Sequence, residues 1–76
     1  MTFERIPPPE PHLKMWRATY AGPFSLIVVF DPEDPSEEFV VSVKVPNADA
    51  PLDLGRFHSF YDAQVACESF MRMNRQ

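Results

Sequence analysis

The segment "FVVSVKV", Phe39 to Val45, sets Phe39, Val41, Val43 and Val45 on one side and Val40, Ser42 and Lys44 on the other. A period of two is the signature of a strand with one buried face. The segment before it, "FSLIVVFD" from Phe24 to Asp31, has apolar residues at both parities: Phe24, Leu26, Val28 and Phe30, but also Ile27 and Val29. A strand greasy on both sides is central in a sheet or has a second surface to cover. "LKMWRATY", Leu13 to Tyr20, carries Trp16, Thr19 and Tyr20, which favour a strand, and ends at the turn signal Ala21-Gly22-Pro23. The acidic stretch "DPEDPSEE" separates the second strand from the third. After "PNADAP", Leu52 to Phe57 reads as a short edge strand or as a crossing over the sheet, with Gly55 relieving a tight bend.

The period then changes. Ser59 is an N-cap candidate, and Asp62 three residues later completes a capping-box variant whose carboxylate meets the positive end of a helix. From Phe60 to about Asn74 the residues Phe60, Ala63, Cys67, Phe70 and Asn74 share one stripe, with Ala66, Met71 and Met73 beside it. Arg72 and Arg75 complement the dipole at the other end. The expected fold is α+β: a three-stranded antiparallel sheet in the order 1-2-3, with one C-terminal helix across one face (β-β-β-α) over residues 13–76. Residues 1–12 are expected to form a proline-rich arm, with Pro7 to Pro11 in polyproline II conformation. Arg5, Pro8 and Pro11 have the R-x-x-P-x-x-P spacing that SH3-type grooves dock; a stiff leader with no partner explains the same residues.

The run "LGRFHSFYDA" before the helix resembles a joint seen in small three-stranded DNA-binding domains of the AP2 and integrase arm-binding types. Gly55, Phe57, Ser59, Asp62 and Ala63 carry the resemblance. It implies a sheet whose exposed face enters the major groove with Arg and Lys side chains. Here the strands and the joint supply Lys14, Arg17, Lys44 and Arg56 for that role.

Charge weighs against it. Seven Lys and Arg face eleven Asp and Glu, a net charge of −4, whereas affinity for phosphate backbones comes from clustered cations. An acidic chain suits a basic protein surface better. No apolar run is long enough to cross a membrane, the longest being Leu26 to Phe30, and no secretory leader is visible; a cytoplasmic location is expected. One cysteine, Cys67, forms no internal disulfide and fits a reducing compartment. His12, His58 and Cys67 are far apart in sequence and show no ligand spacing, so neither a metal nor a cofactor is expected. Cys67 falls on the buried stripe, where a thiol behaves as a small hydrophobe, and no nucleophile–base pair is apparent; an enzyme is not expected.

Two features remain. If the helix covers the even positions of the second strand, Ile27, Val29 and Val40 face elsewhere, joined by Met15 or Trp16. Such a patch meets another protein, a second copy of the chain, or the proline arm. The acidic turn, Asp31, Glu33, Asp34, Glu37 and Glu38, is either a solvated loop that blunts strand-edge pairing or a docking point for a basic surface. The expected function is non-catalytic protein binding through both features, in concrete form a phage-type inhibitor or adaptor acting on a host nucleic-acid machine. The alternative is a nucleic-acid-binding domain using the exposed sheet face.

Overall fold

The computed structural model describes residues 1–74; Arg75, assigned above to the helix dipole, lies outside the described residues. The chain forms β1 (Phe3–Ile6), β2 (Lys14–Ala18), β3 (Ser25–Phe30), β4 (Phe39–Lys44), β5 (Leu52–Phe57) and the helix α1 (Phe60–Met73). The strands make one antiparallel sheet in the order β1-β2-β3-β4-β5. The α+β class holds, but the three-stranded sheet expected from the sequence and implied by the resemblance is incorrect. The three expected strands are β2, β3 and β4, and a further strand is added at each edge.

Both additions have a physical reason. Phe3–Ile6 precedes the prolines, so all its amides can join a ladder, and it pairs Phe3 with Ala18 and Ile6 with Met15. Residues Phe3–Ile6 are therefore sheet and not arm. The proline-rich residues after them connect β1 to β2, turning where the Leu13 amide donates to the Glu10 carbonyl. On the other edge, β5 pairs with β4 through a register irregularity at Val41/Ser42. Gly55 sits there at φ +142°, a backbone conformation that side chains other than glycine's rarely adopt. The Asp53 carboxylate accepts from its amide at 2.9 Å.

The helix covers one face. Leu26, Val28, Val41 and Val43 are fully buried, and Ala63 and Cys67 meet them as fully buried small residues of α1. Their size lets the helix lie close on β4 and β5. Aromatic rings close the core at both ends. Phe60 stands 4.9 Å from Trp16 and 5.5 Å from Phe3 between ring centres, and Phe70 is 5.1 Å from Phe24. The helix starts as expected, with the Asp62 amide donating to the Ser59 hydroxyl at 3.1 Å. Among the described residues no helix is long and apolar enough to cross a membrane.

Candidate protein-docking face

The register fixes which side chains share the helix-free face. Trp16 pairs with Val28 and Val28 with Val41, so these three face α1. Their neighbours in sequence face away. One cross-strand row runs Ile6, Met15, Val29, Val40, Arg56, each directly opposite the next. The next row runs Glu4, Arg17, Ile27, Ser42, Asp53. Ile27, Val29 and Val40 thus lie together on this face, and Met15 joins them; Trp16 does not, because its ring packs among Phe39 and Phe60 beneath the helix. Ile6 completes the row. Its contribution was hidden in the sequence, since an isoleucine before three prolines gives no strand period.

All five apolar side chains, Ile6, Met15, Ile27, Val29 and Val40, are half-buried by one another and by their strands. Charges surround them in both signs. Arg17 is held by Glu4, with the guanidinium Nη2 at 2.6 Å and Nε at 3.2 Å from one carboxylate oxygen. Lys44, Asp53 and Arg56 are exposed along the far side. Of the four cations expected to read nucleic acid, Arg17, Lys44 and Arg56 share the face. Lys14 is opposite Phe30 and, at the parity of Trp16, projects to the helix side.

The acidic turn adjoins the apolar row, because Val29 and Val40 are one position from the end of the β3–β4 hairpin. It is built from two consecutive turns. The Asp34 amide donates to the Asp31 carbonyl and the Glu37 amide to the Asp34 carbonyl, each at 3.1 Å. Pro32 and Pro35 sit second in these turns, where their fixed φ is favourable. The side chains of Asp31 and Asp34 accept from the amides of Glu33 and Ser36 at 2.9 Å. The bonds from Ser36 hold the Asp34 carboxyl below its ordinary range. This loop is therefore a defined presentation of carboxylates. Across it, from the β1–β2 connection, stands His12.

The clearest concavity lies at the other end of the sheet, about 740 Å³, with Thr19, Tyr20, Phe24, Met71 and Asn74 in its walls. Among the described residues no carboxylate, imidazole or thiol side chain lines it. Cys67 is fully buried and its thiol is pushed up to about 11 by burial, with the Glu68 carboxylate adding to the effect. Compared with protein-family models, with curated proteins and with solved structures, the chain matches none of them.

Proposed function

We propose that this chain is a non-catalytic protein-binding module that docks through its helix-free sheet face. The observation that carries the reading is the continuous apolar row Ile6, Met15, Val29, Val40, with Ile27 beside it, on the side of the sheet away from α1. Apolar side chains grouped at the centre of a polar, charged rim are the composition of a recognition surface. The acidic turn at the end of that row supplies the partner's other requirement. A fitting partner presents an apolar patch bordered by Lys or Arg, which the turn's carboxylates would steer into place. The internal pairing of Arg17 with Glu4 engages one of the three cations on this face, which favours a protein over a phosphate backbone. The single reduced thiol suits a cytoplasmic setting.

Parallel captures from one cell extract test the reading, with wild-type chain, Val29→Asp, Met15→Lys and, as a helix-side control, Val65→Asp as baits. A protein held by wild type and by Val65→Asp, but released by both face variants, is the expected result, with folding of each bait checked by circular dichroism. Identical retained proteins on all four baits would remove the basis of the proposal. Retention that vanishes with nuclease or with Arg17→Glu/Lys44→Glu would assign the face to nucleic acid instead.

A further inference from the structure

Antiparallel pairing of Lys14 with Phe30 places the residues just before β2 beside those just after β3. As a result His12, on the β1–β2 connection, stands over the first turn of the acidic loop. Its Nε2 is 3.4 Å from a Glu33 carboxylate oxygen, 3.6 Å from Asp31 Oδ1 and 3.4 Å from a Glu10 oxygen. The donor atoms of His12, Asp31 and Glu33 all lie within 4.8 Å of one another. We infer that His12, Asp31 and Glu33 form a zinc(II) site, with Glu10 within reach as a fourth ligand, that fastens the β1–β2 connection to the β3–β4 turn.

The distances carry the choice. Direct hydrogen bonds between an imidazole and a carboxylate close to about 2.7–3.2 Å, and these contacts are longer. Donors around a tetrahedral zinc, bound at about 2.0–2.2 Å, stand roughly 3.3–3.6 Å apart along each edge. The spacing of the imidazole nitrogen from the Asp31 and Glu33 oxygens already fits the edges of a coordination shell, and Glu10 approaches the same nitrogen from outside that group. The donor set is not one of carboxylates alone, because all three converge on one imidazole nitrogen. Calcium and magnesium take oxygen donors, whereas a mixed imidazole and carboxylate set suits zinc. The acidic turn holds Asp31 in position, since its Oδ1 also accepts from the Glu33 amide. Glu33 and Glu10 are the more exposed pair, and their rotation closes the shell without moving the backbone. Ligands drawn from two connections make a clamp.

The test uses the untagged full chain, stripped with chelator and titrated with zinc chloride. Calorimetry reads stoichiometry, and NMR follows the two imidazoles. One ion per chain, with the His12 ring resonances moving and those of His58 still, is the expected result. His12→Gln should weaken binding by about tenfold or more, Glu33→Gln should weaken it severalfold, and His58→Gln should leave it unchanged. Glu33→Gln, at an exposed position, decides the matter should His12→Gln alter the amide spectrum as a whole. The inference is overturned by a still His12 ring up to about 1 mM zinc. Undiminished uptake in His12→Gln, or calcium competing on equal terms, would overturn it as well.

Discussion

On β3, Leu26 and Val28 are fully buried, while Ile27 and Val29, each one residue away, are half-buried on the opposite side. The four side chains are chemically alike. What separates them is the layer above: Ala63 and Cys67 of α1, closed off by Phe60 and Phe70, lie over the first pair. Burial here is a property of the neighbour across the sheet more than of the residue itself. The covered face holds the fold together, and the open face is the one proposed above as the docking surface.

The sharpest way to break this comparison is to truncate matched positions. Leu26→Ala should cost about 2–5 kcal/mol, combining lost burial with a residual cavity, whereas Ile27→Ala should cost less than about 1.5 kcal/mol. Urea unfolding of the two variants checks the difference. Equal losses would mean that the open face is as much a core as the covered one.

Next comes the device that lets β5 close the covered face. A Cβ at Gly55 would stand 3.1 Å from the Phe57 ring at a φ of +142°. Gly55→Ala should therefore lower stability by about 1–3 kcal/mol, read as a fall in melting temperature. A neutral result would show that the β4–β5 irregularity relaxes freely.

Cys67 gives a chemical probe of the covered face. Unfolding returns its thiol from about 11 toward its ordinary value of 9.0. The folded state favours the neutral form, so its contribution is complete below pH 9, declines as pH rises, and is lost through pH 11. The expected decline is about 1–2 kcal/mol. Denaturant melts of wild type and Cys67→Ala across that range should converge as pH increases. Parallel curves would mean that water already reaches the thiol.

The smallest effect belongs to the open face. Arg17→Ala breaks an exposed ion pair with Glu4 and should shift stability by less than about 1 kcal/mol, less still at high salt. Thermal melts at two salt concentrations measure it, and a loss as large as that of Leu26→Ala would overturn the division between faces.

Much of the candidate face was legible before any coordinates. Parity along two strands was enough to send Ile27, Val29 and Val40 away from the helix. The partners at the edge were not legible. Ile6 lacks any period of its own, and Met15 and Trp16 are adjacent apolar residues between which composition does not choose. Only their pairing with Val29 and Val28 separates them. His12 shows the same limit more strongly. By sequence it is weighed only against His58 and Cys67, whereas the β2–β3 register brings it to Asp31 and Glu33.

By itself the sequence determined what depends on near neighbours along the chain. These were the three central strands, the capped helix, the acidic turn between two of those strands, and which residues of a strand share a side. Such features follow from backbone dihedrals and side-chain periods that a few residues suffice to set. The tertiary structure alone decided that β1 and β5 extend the sheet, that Met15 and not Trp16 lies on the open face, and that His12 meets the acidic turn. Each of these rests on hydrogen bonding between segments distant in sequence, whose register is selected by the fit of the whole sheet under its helix.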